Sequence, residues 1–366
     1  MEQKEYFGFG SIKQLDDILK ETLAENILLV TGKESYRRCG AKYHLGKILE
    51  TKNVRTFNDF SSSPKFEELD KGYNQLADNV PDLILGVGGG SVLDSAKFMK
   101  LKFFADSARE IPLVAIPTTA GSGSEATSFI VCYKNKEKQS LGIPNITLPD
   151  YSILDPSLTL SMSPNLLASS GLDALGQAVE SYWSINSTTR SKQLSEEAIG
   201  LILKNFHSSM TYLDSYSKEA MLKAANLSGK AINITKTTSC HAISYPLTSY
   251  CKISHGHAVA LTLGEMIIYN SRVSSKDCND NRGTEYVQQT MKELLNILDV
   301  KSPEEAKYKM EDLITNLGLK NHLSNLNIKN SDLPFLIEKS FNKERMGNNP
   351  RLLTKKGLER ILNNIF

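Results

Sequence analysis

The sequence predicts an α/β domain with a parallel sheet over residues 1–158, followed by an all-helical domain over residues 159–366. Three observations carry that expectation. Short, fully apolar runs alternate with helical patterns early in the chain, each run ends in a Gly or Pro turn, and after Leu154-Asp155-Pro156 the texture changes, with few strand-like runs from Pro164 onward. Runs of this kind are strands buried on both faces, as in a parallel sheet covered by helices on each side.

Taken in order, Ile27-Leu28-Leu29-Val30, Leu83-Ile84-Leu85-Gly86-Val87 and Leu113-Val114-Ala115-Ile116 read as buried strands. The segments 129–133 and 139–143, joined by a Lys/Asn-rich turn, read as a hairpin laid against that sheet. From Pro164 onward apolar residues recur at helical spacing, as in Leu175, Ala178, Val179 and Tyr182, and again in Ala198, Leu201 and Ile202. The polar stretch 271–284 reads as a loop before a helix at 286–298, and the Lys/Glu-rich stretch 301–311 as a solvated helix face.

The length of 366 residues accommodates two packed domains. With 43 basic and 41 acidic side chains the net charge is +2, which gives no general attraction for nucleic acid or anionic membranes. No apolar run reaches the ~18 residues that a bilayer span needs. Five scattered cysteines with no CxxC pair speak against a disulfide framework or a zinc knuckle and fit a reducing compartment. The charged start of the chain lacks an apolar signal core. A cytoplasmic globular protein is expected.

Gly86-Val87-Gly88-Gly89-Gly90-Ser91 leaves a predicted strand and opens a helix carrying Val92, Ala96, Phe98 and Met99. Adjacent glycines let a ligand approach the backbone, and the N–H groups at the following helix start favour an anion such as a pyrophosphate. The alternative is a tight strand-to-helix turn without a ligand. A second turn, Ile116-Pro117-Thr118-Thr119-Ala120-Gly121-Ser122-Gly123-Ser124-Glu125, also leaves a strand. Two such turns at neighbouring strand ends suit a nucleotide better than one phosphate. Asp106 stands at the spacing of a ribose-binding acid but ends no strand.

Asp173 and Gln177 are four residues apart, so a helix puts both side-chain oxygens on one face. That pair is either half of a metal site or an Asp at a helix start with an exposed Gln. His241, His255 and His257 place three of the six histidines in one 17-residue window. Neutral imidazole is a favoured ligand for Zn²⁺ and Fe²⁺, and a carboxylate, two imidazoles and an amide oxygen leave a coordination position for a substrate carbonyl.

Together, the glycine turn, the PTTAGSGSE turn, GLDALGQAVE and HAISYPL with SHGHAVA resemble the iron-containing alcohol dehydrogenase family nearly end to end, from Phe7 to Arg351. The resemblance implies the dehydroquinate synthase-like fold: a Rossmann-like dinucleotide-binding α/β domain, a helical domain, and a metal in the cleft between them. It implies cofactor contacts by Gly88, Gly89, Gly90, Ser91, Asp94, Thr118, Thr119, Ser122 and Lys138, metal ligands Asp173, Gln177, His241 and His255, and a homodimer. The family has His where Gln177 stands and a further His where Tyr245 stands, and Gln is the weaker ligand. Gln177, Lys236-Thr237-Thr238 and HAISYP look like the branch that reduces phosphonoacetaldehyde to 2-hydroxyethylphosphonate.

The reaction implied is NAD(P)H-linked reduction of a small aldehyde with one Fe²⁺ or Zn²⁺ ion, with Tyr245 or His257 as proton carrier. Lys236, Thr237 and Thr238, with Arg345 and Arg351, would grip a phosphonate, the alternative for the arginines being surface charges. Gly32 stands at the end of the first strand where many NAD-preferring relatives carry Asp, and Lys33 or Arg37 would pair with a 2′-phosphate, so NADPH is expected to be accepted. The competing readings are a general short-chain alcohol dehydrogenase, a metal-assisted lyase or synthase, and a nucleotide-binding protein without catalysis.

Overall fold

The computed structural model of the chain describes residues 3–135, 137–210 and 214–366. It divides into two compact units, Met1–Ser163 with Tyr212–Asn226, and Pro164–Thr211 with Leu227–Phe366.

Among the described residues the first unit holds strands β1 (Lys4–Phe7), β2 (Asn26–Thr31), β3 (Asn53–Phe57), β4 (Leu83–Gly88), β5 (Leu113–Pro117), β6 (Ile130–Lys134), β7 (Glu137–Leu141) and β8 (Tyr151–Leu154). Six of them form one parallel sheet in the order β1-β8-β5-β4-β2-β3. The apolar runs at 27–30, 83–87 and 113–116 are its central strands β2, β4 and β5. Successive residues serve opposite faces: Ile27 and Leu29 pack with Leu15, Ile18 and Leu45, while Leu28 and Val30 pack with Phe98, Met99 and Phe103. The sheet is thus buried on both sides, as its all-parallel order requires.

The strands β1 and β3 left no apolar run in the sequence because they are edges. Lys4, Glu5, Asn53 and Arg55 on them are exposed. The hairpin β6–β7 forms a two-stranded sheet of its own, and its Ile130 and Cys132 share a core cluster with Leu28, Val30 and Ile84 of the large one. It is tied to the helix Gly90–Ser107, whose Asp94 Oδ2 accepts from the Val131 N–H at 3.0 Å. Asp106 lies inside that helix and accepts from the Tyr73 hydroxyl at 2.7 Å.

Chain order reverses beside β2, which pairs with β3 on one side and β4 on the other. This is the switch point where ligands of open α/β sheets bind, outside the carboxyl ends of the strands. The segments after β2, β4 and β5, which carry Gly32, Gly89 and Thr118, stand side by side there.

The second unit is helical, with no strand among its described residues. Its central helix, His255–Ser271, is buried over most of its length and packs on Pro164–Trp183, Ser239–Ser249 and Pro303–Asn316. A helix apolar nearly all round belongs inside a core. The helices Thr284–Ile297 and Pro303–Asn316 cover the two patterns expected between 286 and 311. No helix of the described residues is long and apolar enough to cross a membrane.

Candidate metal centre and glycine turns

Asp173 lies in the helix Pro164–Trp183, with Gln177 one turn on and Glu180 two turns on along the same face. His241 is the third residue of Ser239–Ser249, and His255 the first of His255–Ser271. One donor atom from each of Asp173, His241 and His255 lies within 4.8 Å of the other two. Asp173 Oδ1 is 3.3 Å from His241 Nε2 and 3.7 Å from His255 Nε2.

The other ring nitrogens are held by protein. His241 Nδ1 donates to Oε2 of Glu180, a fully buried carboxylate. Ser244 Oγ donates to the His241 carbonyl at 2.7 Å, which leaves its lone pair for the Nδ1–H of His255 at 3.3 Å. With Nδ1 engaged in both rings, each Nε2 faces one carboxylate oxygen of Asp173, so the neutral ring offers a metal its Nε2 lone pair. The buried His241 Nε2 makes no hydrogen bond, although Asp173 Oδ1 is 3.3 Å away. Three electron-pair donors meeting in a buried place fit a divalent cation, and two imidazoles with a carboxylate suit Zn²⁺ or Fe²⁺.

Burial alone would lower the His241 pKa, but the Glu180 and Asp173 carboxylates outweigh it and push it up to about 9 without an ion. Glu180 is raised by burial yet held below its usual range by His241 and Thr238. Close packing makes the convergence possible. A Cβ on Gly256 would lie 1.9 Å from the Ser169 carbonyl oxygen and 2.6 Å from the Asp173 nitrogen, so only glycine lets the two helices approach this far.

Gln177 is buried, donates from Nε2 to Asp173 Oδ2 at 3.2 Å, and accepts from Ser228 Oγ at 3.1 Å. Tyr245 stacks on His255, with ring centroids 6.4 Å apart. His257, two residues beyond His255 and so on the far side of its helix, donates its Nε2–H to the Lys320 carbonyl at 2.6 Å, and burial lowers its pKa.

Of the residues expected to grip a phosphonate, Thr238, Arg351 and Lys236 engage other partners. Thr238 donates to Glu180 Oε1 at 2.8 Å and accepts from Trp183 Nε1 at 3.0 Å. Arg351 pairs with Asp277 at 2.7 Å and donates to the Tyr269 carbonyl, with its guanidinium over the Tyr269 ring. Lys236, in a left-handed conformation, pairs with Glu344 at 3.1 Å on the surface. Thr237 is buried, with its carbonyl held by Asn348, and the Arg345 side chain is buried.

In the first unit the glycines of the first turn fill a tight space. A Cβ on Gly88 would sit 2.5 Å from Val92 Cγ2, and one on Gly90 would sit 2.8 Å from Ser122 Oγ; Gly89 faces Thr119. The two turns are thus packed against each other. Thr118 N–H bonds the Gly88 carbonyl at 3.0 Å, and Ser91 Oγ bonds the Ser62 carbonyl. Beneath them Asp94 accepts from Ser124 Oγ, and the fully buried Lys97 bonds Ser124 Oγ, Thr127 Oγ1 and the Phe129 carbonyl at 2.8–3.2 Å. Lys33 pairs with Asp59 at 3.1 Å, both exposed, and Lys138 lies on β7 opposite Tyr133.

Sequence reading missed Glu180, Ser244, Gly256 and Lys97. The spacing of Asp173, Gln177 and Glu180 at i, i+4 and i+7 was the available signal for the first.

The family described as "Iron-containing alcohol dehydrogenase" matches residues 3–156, and "Fe-containing alcohol dehydrogenase family, C-terminal" matches residues 167–366. The chain is similar to a phosphonoacetaldehyde reductase of Streptomyces viridochromogenes, 34% identical over 77% of this chain and 75% of that protein. It is also similar to a sulfoacetaldehyde reductase of Bilophila wadsworthia, 26% identical over 95% of this chain and 93% of that one. Among solved structures, the sulfoacetaldehyde reductase from Bifidobacterium kashiwanohense in complex with NAD+ superposes with a TM-score of 0.85 at 27% identity, covering 99% of this chain and 96% of that chain.

Proposed function

The chain belongs to the iron-containing alcohol dehydrogenase family of oxidoreductases, and on that premise we propose that it reduces phosphonoacetaldehyde to 2-hydroxyethylphosphonate with NAD(P)H and one divalent ion. The observation that carries the reading is the convergence of Asp173, His241 and His255.

Those three side chains would hold the ion, and when bound, Fe²⁺ or Zn²⁺ would supply Lewis-acid polarisation of the substrate carbonyl and NAD(P)H the hydride. Glu180 and Ser244 keep both imidazoles in the ligand tautomer. Gly88, Gly89, Gly90, Ser91, Thr118, Thr119 and Ser122, after β4 and β5, would bind the cofactor diphosphate and nicotinamide, and Gly32 and Lys33, after β2, would take its adenosine end. Tyr245, stacked on His255, delivers the proton to the product oxygen; His257 spends its own on Lys320.

Two similar proteins are named for phosphonoacetaldehyde and sulfoacetaldehyde, both two-carbon aldehydes with a tetrahedral anionic head. The buried Arg345, together with Lys236 once it leaves Glu344, is proposed to hold that head. One charge-assisted hydrogen bond contributes about 1.5–3 kcal/mol, so phosphonoacetaldehyde should exceed propionaldehyde in kcat/KM by roughly ten- to a hundredfold. The test is NAD(P)H oxidation with both aldehydes by protein of measured metal content. Equal values would leave a general short-chain alcohol dehydrogenase.

A further inference from the structure

We infer that Gln177 is a positioning residue for Asp173 and contributes no donor atom to the ion, so that three side chains hold the metal. The inference rests on reading Asp173, His241 and His255 as the ion site.

The Asp173 carboxylate is divided. Its Oδ1 faces Nε2 of His241 and of His255, at 3.3 and 3.7 Å. Its Oδ2 accepts from Gln177 Nε2 at 3.2 Å. The amide thus engages the oxygen the imidazoles do not face and turns the other toward them. Its own carbonyl, the atom a metal would need, accepts from Ser228 Oγ at 3.1 Å. Turning the amide end for end would set Oε1 against a carboxylate, acceptor against acceptor, in a buried place where that repulsion is poorly screened. The amide orientation is therefore fixed by Asp173 itself. An imidazole at this position would bring a nitrogen donor; the amide brings an N–H, which binds carboxylates and not cations.

A crystal structure of the wild-type protein loaded with Zn²⁺ decides the point. The expected result is Gln177 Oε1 outside the bonding distance of roughly 2.0–2.2 Å and still on Ser228; an Oε1 within that distance overturns the inference. In solution, Gln177→Leu should weaken Zn²⁺ binding by about 10- to 100-fold, the usual effect of losing a group that orients a ligand, with the melting temperature of the metal-free protein retained. Unchanged affinity would reduce Gln177 to packing, and complete loss of binding in the folded variant would make it a direct ligand; either overturns the inference. Should Gln177→Leu fail to fold, the zinc-loaded structure still decides. No Zn²⁺ uptake by the wild type would instead overturn the ion-site reading itself.

Discussion

The Glu180 carboxylate that receives the Nδ1 proton of His241 also receives the backbone N–H groups of Cys240 at 2.6 Å and His241 at 3.3 Å. Those are orphan donors of the first turn of Ser239–Ser249, whose N-cap Thr238 makes no side-chain cap of its own. One buried charge therefore starts the helix, satisfies its donors and sets the tautomer of the histidine it carries. Glu180→Gln keeps the shape and an acceptor but removes the charge. Zn²⁺ affinity is expected to fall by about 10- to 100-fold, measured by competition with a chelator. Glu180→Ala is expected to fold poorly as well, since each buried donor left alone costs roughly 1–3 kcal/mol. An unaltered zinc affinity in Glu180→Gln would refute this role.

Metal binding and protonation compete at His241. In the metal-free protein its pKa is about 9, against an ordinary value of 6.5. The folded state therefore holds the proton more tightly than the unfolded chain does. That stabilisation is complete below pH 6.5 and disappears as pH rises through about 9. Zinc needs the same Nε2 lone pair, so its affinity should climb by about tenfold per pH unit over that window. Melting curves of chelator-treated protein and zinc titrations across it should run in opposite directions. Curves that move together would rule out His241 as the linked group.

The histidines stood out in the sequence because residue identity carries their chemistry: His241 and His255 are two of only six and lie 14 residues apart, whereas Asp173, one of 41 acidic residues, stood out only through its spacing to Gln177. The central strands were legible because both their faces are buried. The edges β1 and β3 were not, since a strand half in water carries charges such as Lys4 and Arg55. The parts of Glu180 and Gly256 depend on which helix arrives beside them, about 60 and 80 residues away in sequence. Arg351 was over-read for the same reason: it looks available in the sequence, while the fold commits it to Asp277 and Tyr269.

Cofactor choice is testable at the end of β2. Gly32 brings no carboxylate to the position that would meet a ribose 2′-OH, and Lys33 lies beside it, paired only on the surface with Asp59. Gly32→Asp should lower kcat/KM for NADPH relative to NADH by about tenfold or more, through lost charge attraction and added repulsion. A Cβ there would clash only with the Ser35 hydroxyl, which can rotate away, and would make ordinary contacts with Ser35 Cβ and Val92 Cγ2, so the fold should survive. Steady-state rates with both cofactors measure the ratio. A ratio unmoved by the new charge would place the 2′-phosphate elsewhere.

Gly256 offers the sharpest separation of architecture from chemistry, because it touches the site without offering it any functional group. Its missing Cβ is what lets His255–Ser271 lie against the turn of Pro164–Trp183 that carries Asp173. The atom it would strike is the backbone oxygen of Ser169, which no rotamer change can move. Gly256→Ala must therefore shift one helix off the other, and overpacking of this kind costs about 1–3 kcal/mol. His255 is the adjacent residue, so the shift opens its 3.7 Å approach to Asp173 directly. The expected outcome is a folded protein of lower melting temperature whose zinc affinity is reduced by more than about 100-fold, beyond the loss typical of an outer residue. Zinc titration of Gly256→Ala beside its circular dichroism spectrum checks both halves. Parental zinc affinity in this variant would mean that the contact between the two helices does not hold the donor atoms together.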